Sequence, residues 1–170
     1  PETELLVETA LRWLRSHPTS NKAMDVGTGS GCIAVSLAVN TPSLHIVATD
    51  ISAEALAIAQ RNAQLHHVED RITFQKADLI SADLGRFDLI CANLPYVPTS
   101  ELAKVNSLPY EPVLALDGGP DGLALIKRCL ACAPAHIRAP GMLLFEIEAP
   151  TEDAALALAC NVFPQAKISL

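Results

Sequence analysis

Asn93-Leu94-Pro95-Tyr96 brings together the residue types best suited to chemistry in this chain. The apolar run Phe87-Asp88-Leu89-Ile90-Cys91-Ala92 leads into it and reads as a buried strand. A strand ending in Asn-x-Pro-aromatic sets a side-chain amide, a bare backbone carbonyl and an aromatic face at one spot. That set suits the gripping of a planar –NH2 group, because the Asn93 oxygen and the Leu94 carbonyl can each accept one N–H. Pro95 has no N–H and stiffens the turn. The Tyr96 ring can lie against a flat amide or a nearby cation. Taken alone, the same residues also describe a plain proline turn after a strand.

A second constellation lies upstream. Ala23-Met24-Asp25-Val26-Gly27-Thr28-Gly29-Ser30-Gly31-Cys32-Ile33-Ala34 reads as strand, glycine turn, helix. Glycines at alternate positions let the backbone pass close to a ligand. The helix start offers free N–H groups to a carboxylate or phosphate. The next apolar strand, Leu44-His45-Ile46-Val47-Ala48-Thr49, ends in Asp50, with Ile51 beyond it. A carboxylate at the end of the second strand can accept the hydroxyls of a ribose, so the pattern describes a nucleoside pocket. The dinucleotide fingerprint is G-x-G-x-x-G. Here the third glycine, Gly31, stands one position early, and Asp25 precedes the first. D-x-G-x-G-x-G with a strand-end acid fits S-adenosylmethionine better than NAD.

The elements that must position these residues alternate along the chain. Helices are expected near 3–16, 30–40, 53–66, 121–134 and 151–162, with Thr3 as an N-cap. Strands are expected near 23–27, 44–49, 71–76, 87–92 and 141–147, with a last short strand near 166–170. A long polar loop covers 95–119. Repeated strand–helix units predict a parallel sheet with helices on both faces. Ligands then bind outside the carboxyl ends of the strands, where Gly27, Asp50, Asp78 and Asn93 all fall.

Composition sets bounds. The chain has 170 residues, enough for one domain, and is 50% hydrophobic but only 4% aromatic. Its net charge of -7 suits nucleic acid poorly. No signal peptide or membrane-spanning run is evident. The five cysteines, Cys32, Cys91, Cys129, Cys132 and Cys160, are odd in number and scattered, which reads as buried hydrophobes in a reducing cytoplasm. Cys129-x-x-Cys132 lacks a partner pair, and His66-His67 reads as a helix end, so no metal site is expected.

At this point the chain resembles the HemK/PrmC-type protein-glutamine methyltransferases, within the Rossmann-like class I S-adenosylmethionine-dependent enzymes. Pro1-Glu2-Thr3-Glu4-Leu5-Leu6-Val7-Glu8 matches the start of their catalytic domain. Asp25-Val26-Gly27-Thr28-Gly29-Ser30-Gly31 matches their cofactor loop, and Asn93-Leu94-Pro95-Tyr96 their N-P-P-Y signature. Tyr110-Glu111-Pro112 and Ala115-Leu116-Asp117-Gly118-Gly119-Pro120-Asp121-Gly122-Leu123 match a block that other amine methyltransferases generally lack. The resemblance implies one catalytic domain over 1–170, without the family's helical N-terminal substrate-binding domain and without its last strand. It implies that Gly27, Thr28, Gly29, Ser30 and Gly31 wrap the methionine end of the cofactor. Asp50 would take the ribose, Asp78 and Leu79 would flank the adenine, and Ile51 would be a further cofactor-binding residue. Asn93 through Tyr96 would hold a substrate glutamine, by family habit that of the Gly-Gly-Gln loop in class I peptide chain release factors.

Two local departures from the family stand out. Leu94 replaces the first proline of the signature but keeps the carbonyl. Glu148-Ala149-Pro150-Thr151-Glu152 stands where the family tends toward Gly and Gln. Three rivals share parts of the pattern. They are an adenine amino-methyltransferase acting on DNA or RNA, a non-catalytic cofactor-binding or interaction domain, and an NAD-dependent oxidoreductase. The acidic charge and the 110–123 block oppose the first.

Overall fold

The computed structural model describes residues 2–105 and 112–170, so Tyr110 and Glu111 of the family block lie outside the described residues. The chain divides into two compact units. The first holds the described residues up to Asn93 together with Ala135–Glu146. The second holds those of Leu94–Pro134 and Ile147–Leu170.

The first unit is built on five strands: β1 (Lys22–Val26), β2 (His45–Asp50), β3 (Ile72–Lys76), β4 (Phe87–Ala92) and β5 (Ile137–Phe145). They lie in the order β3-β2-β1-β4-β5, and every neighbouring pair is parallel. The unbroken apolar character of β4 follows from this, since all six of its residues are buried. Strands covered on both sides lose the alternation of half-exposed ones. Helices α1 (Glu2–Ser16), α2 (Cys32–Asn40) and α3 (Ala53–Leu65) accompany the sheet. Leu6, Ala10 and Leu14 recur every four residues on α1 and are buried, an amphipathic stripe. They share a core with Ile33, Ala34 and Leu37 of α2 and with Ala23, Ile46, Leu89 and Cys91 of the sheet. Ser52 caps α3, its hydroxyl accepting the Ala55 N–H at 3.1 Å. From β1 the chain steps outward to β2 and β3, then returns to lay β4 on the other side of β1. That reversal is the switch point at which open α/β sheets bind ligands.

The second unit carries α4 (Ala124–His136), whose last two residues fall in the first unit, and α5 (Glu152–Val162). Short 3-10 turns occupy Thr99–Lys104, Val113–Ala115 and Ala149–Thr151.

The α/β class and the parallel sheet are as expected, but several details differ. Residues 166–170 form no strand, since they meet no neighbouring strand to complete a ladder. β5 begins at Ile137 rather than near 141, and Pro140 lies within it. β5 is an edge strand of the described sheet, where a missing N–H is tolerated. Thr3 lies inside the first turn of α1 rather than at an N-cap. Cys91 and Cys129 are buried as expected, but Cys32, Cys132 and Cys160 are exposed. His66 does end α3, with His67 beyond it at φ 56°. Among the described residues no helix is long and apolar enough to cross a membrane.

Candidate active site

Because all five strands run the same way, their carboxyl ends form one edge. Gly27, Ile51, Ala77, Asn93 and Glu146 each come directly after a strand there. The glycine loop is held from below by Asp25. One Asp25 oxygen accepts the Thr28 hydroxyl at 2.6 Å and the Ala34 N–H at 3.1 Å. The other, Oδ1, is buried without a hydrogen-bond partner. Burial therefore dominates and pushes the carboxyl up to about 6, against the pull of those two bonds. Cys32 stands at the start of α2, exposed overall but with its thiol partly desolvated, which together with Asp25 pushes it up from its usual value.

Gly27, Gly29 and Gly31 take φ of 69°, 57° and 84°, in the left-handed region that favours glycine. The roles of Gly31 and Gly29 differ. A Cβ on Gly31 would lie 2.9 Å from the Ala59 Cβ, so this glycine lets the start of α2 sit against α3. A Cβ on Gly29 would meet nothing within 4 Å, so the middle of the loop faces open space. Asp50 lies beside that opening. Its Oδ2 accepts the Gly29 N–H at 2.8 Å and its Oδ1 the Ser52 N–H at 2.9 Å. A carboxylate has about four acceptor positions, so two remain for hydroxyls. Leu79 is at φ 62°, and its carbonyl accepts the Thr49 hydroxyl at 3.0 Å, which ties the turn after β3 to β2. Asp78 beside it is exposed, and so is Ile51 next to Asp50. The structure thus brings Asp25, the glycine loop, Asp50, Ile51, Asp78, Leu79 and Asn93 to one edge of the first unit.

Asn93 follows β4. Its Nδ2 donates to the Thr3 hydroxyl at 3.1 Å, and that hydroxyl donates to Glu146 Oε2 at 2.8 Å. The Glu146 N–H returns to the Ala92 carbonyl at 3.0 Å. Neither Thr3 nor Glu146 was marked as a site residue by sequence reasoning, because the three positions converge only in the fold.

In the second unit the rest of the tetrapeptide is braced by the family block. Val97 and Asp117 form a parallel bridge, closed by Val97 N–H to Leu116 O at 2.9 Å and Gly118 N–H to Val97 O at 2.8 Å. The Asp117 carboxylate accepts the Thr99 hydroxyl at 2.7 Å and the Gly119 N–H at 2.9 Å. A Cβ on Gly118 would fall 2.7 Å from Tyr96 Cα and 2.8 Å from the Pro95 carbonyl. A Cβ on Gly122 would strike the Tyr96 carbonyl. These glycines let the block lie directly on the backbone of Pro95 and Tyr96, a role that their sequence spacing did not reveal.

Two surface cavities of about 190 and 200 Å³ contain none of these residues. The first is lined by Lys22, His45 and Phe87, which open their strands, so it lies at the opposite edge of the sheet. Among the described residues no three His, Cys, Asp or Glu side chains cluster as metal ligands would.

Comparison with known proteins identifies the family. The sequence model of the methyltransferase small domain family matches residues 2–107. The chain is 42% identical over 160 residues to a release factor glutamine methyltransferase of Chlorobaculum tepidum, covering 88% of this chain and 54% of that protein. It is 39% identical over 152 residues to a ribosomal protein uL3 glutamine methyltransferase of Bordetella pertussis, covering 86% and 50%. The chain thus spans about half the length of these curated relatives. In fold it resembles the ribosomal protein L11 methylase of Lactobacillus delbrueckii subsp. bulgaricus, with a TM-score of 0.68 at 22% identity over 92% of this chain and 66% of that one. The glycine loop, the strand-end acid Asp50 and the Asn-x-Pro-Tyr turn with much of its surroundings lie within the matched span, and the chain belongs to the methyltransferase small domain family.

Proposed function

We propose that this protein transfers a methyl group from S-adenosylmethionine to the side-chain amide nitrogen of a glutamine in a protein. The substrate we assign is the Gly-Gly-Gln loop of a class I peptide chain release factor, in line with the names of its relatives. The observation that carries the reading is Asn93, placed at the same strand edge as the left-handed glycine loop and Asp50, with its amide held by a side chain.

The residues present fit the cofactor. Open space above Gly29 admits a ligand close to the backbone. Asp50 keeps two acceptor positions for ribose hydroxyls. Ile51 and Leu79 offer apolar surface to an adenine, with Asp78 at the rim. Asp25 acts from below by holding Thr28 and the first turn of α2. When bound, the sulfonium supplies an electrophilic methyl group.

Everything else falls to the chain's own groups. An amide nitrogen is a poor nucleophile because its lone pair is delocalised into the carbonyl. Accepting that methyl group would place positive charge on the nitrogen, with the bonding pair left on the donor sulfur. The Asn93 oxygen and the adjoining Leu94 carbonyl accept the two N–H bonds, orient the lone pair and stabilise the growing charge. Pro95 keeps the turn rigid, and the Tyr96 ring face suits the cationic methyl. Once methylated, the nitrogen is acidic and loses its proton late, so no strong general base is required.

The test is mass spectrometry of release factor, ribosomal protein uL3 and an adenine oligonucleotide after incubation with the purified protein and S-adenosylmethionine. The expected product is a release-factor glutamine heavier by one methyl group. Asn93→Ala should lose roughly 100- to 1000-fold in kcat while S-adenosylhomocysteine affinity, read by calorimetry, changes little. Methylation of uL3 instead would move the substrate within the same chemistry. Methylation of adenine alone would overturn the reading.

A further inference from the structure

The link from Asn93 to Thr3 to Glu146 carries a consequence for how the amide is aimed, and it rests on the function proposed above. A threonine hydroxyl owns one proton. At 2.8 Å from Glu146 Oε2, that proton goes to the carboxylate, which only accepts when ionised. The Thr3 oxygen then turns a lone pair toward Asn93. Only the –NH2 half of a carboxamide can meet it, and Nδ2 does so at 3.1 Å. The Asn93 oxygen is the half left for a ligand. With the amide reversed, Asn93 would set oxygen against oxygen at Thr3 and present N–H groups to a substrate that itself offers N–H. We propose that Thr3, fixed by Glu146, is a positioning residue that makes Asn93 an acceptor toward the substrate amide. All three residues lie in the first unit, at the ends of β4 and β5 and in the first turn of α1.

Thr3→Val keeps the shape and removes the hydroxyl. It should lower kcat roughly 10- to 100-fold, because the amide is free to turn over. KM for the protein substrate and affinity for S-adenosylhomocysteine should stay near those of the parent. Thr3→Ser restores the hydroxyl and should recover most of kcat. Glu146→Ala frees the Thr3 proton to point at Asn93, so it should also lower kcat with cofactor affinity retained. A second measurement does not depend on turnover: the Asn93 side-chain amide, assigned by ¹⁵N NMR from its absence in Asn93→Ala, should exchange its protons faster in Thr3→Val than in the parent. Unchanged kcat in Thr3→Val, or a Thr3→Ser variant as slow as Thr3→Val, would overturn the inference. A parent protein that methylates no glutamine would sink the functional reading instead. Amide exchange would then still decide whether Thr3 holds Asn93, with equal rates in parent and Thr3→Val overturning the inference.

Discussion

Asp25 and Asp88 are both nearly closed off from water, at 0% and 7% exposure, yet their carboxyls move in opposite directions. Asp25 has one oxygen without a partner, and burial pushes it from 3.8 to about 6. Between those values the folded state binds more protons than the unfolded one, so stability falls as pH rises through that window and stays lower above it. The size is about 3 kcal/mol. Asp25→Asn should flatten that decline, as urea unfolding at intervals from pH 4 to pH 7 would show; an equally steep decline in the variant would mean that Asp25 is not its source. On the proposed function, Asp50 is the residue expected to set cofactor affinity. Asp50→Ala should weaken S-adenosylhomocysteine binding by roughly 10-fold or more in calorimetry, since hydrogen bonds to a charged acceptor contribute about 1.5–3 kcal/mol each. An unchanged affinity would remove Asp50 from the pocket. At this scale the cradle was legible in the sequence because each part is local: glycines at alternate positions, an acid ending one strand, an asparagine directly after another. Thr3 was misplaced for the same reason. Seen locally it is a helix cap, and its true partners are 90 and 143 positions away.

The strand–loop–helix element around the glycines makes two demands that separate by substitution. Gly31→Ala sets a Cβ 2.9 Å from Ala59 Cβ at φ 84°, so it combines a left-handed strain with overpacking. It should destabilise the protein by about 2–4 kcal/mol, visible as a lowered melting temperature with or without ligand. Gly29→Ala has open space around it and φ 57°, so it should lose only about 1 kcal/mol of stability. Its larger effect should fall on S-adenosylhomocysteine affinity, because the added methyl enters the space the ligand needs. Equal effects of both substitutions on stability and affinity would contradict this division. The same scale shows where sequence signals misled. The sequence sets the start of the fifth strand near 141, but it begins at Ile137 and takes in Pro140 at the edge of the described sheet. The run from 115 to 123 was legible as a family mark without a mechanism; the structure supplies one in Gly118 and Gly122 lying on the Pro95–Tyr96 backbone.

For the molecule as a whole, the two edges of the sheet are tied by different carboxylates. At the amino edge Asp88 accepts the Asn21 and Lys22 N–H groups at 2.9 and 3.0 Å and pairs with Arg138 at 3.0 Å. Burial opposes its charge, but the Lys22 N–H, Arg138 and the Asn21 N–H together hold the carboxyl below its usual value. Its contribution to stability is therefore present at neutral pH and lost as acid takes the carboxyl through that lowered value. Asp88→Ala should destabilise by about 2–3 kcal/mol, roughly 5–10 °C in melting temperature, with no change in S-adenosylhomocysteine affinity at the far edge. A melting temperature equal to the parent's would show that the three bonds contribute nothing. At the carboxyl edge the tie is Asn93 to Thr3 to Glu146, and it has a consequence in time. A ribosome makes this chain from Thr3 toward Glu146, at roughly 5–20 residues per second, so the threonine waits about 7–30 s for its acceptor. Asp50 is synthesised nearly 100 residues before that acceptor, and the glycine loop earlier still. On the proposed function, a nascent chain therefore completes the sequence of its cofactor loop while its asparagine can still point either way, and the aim of the amide is set last.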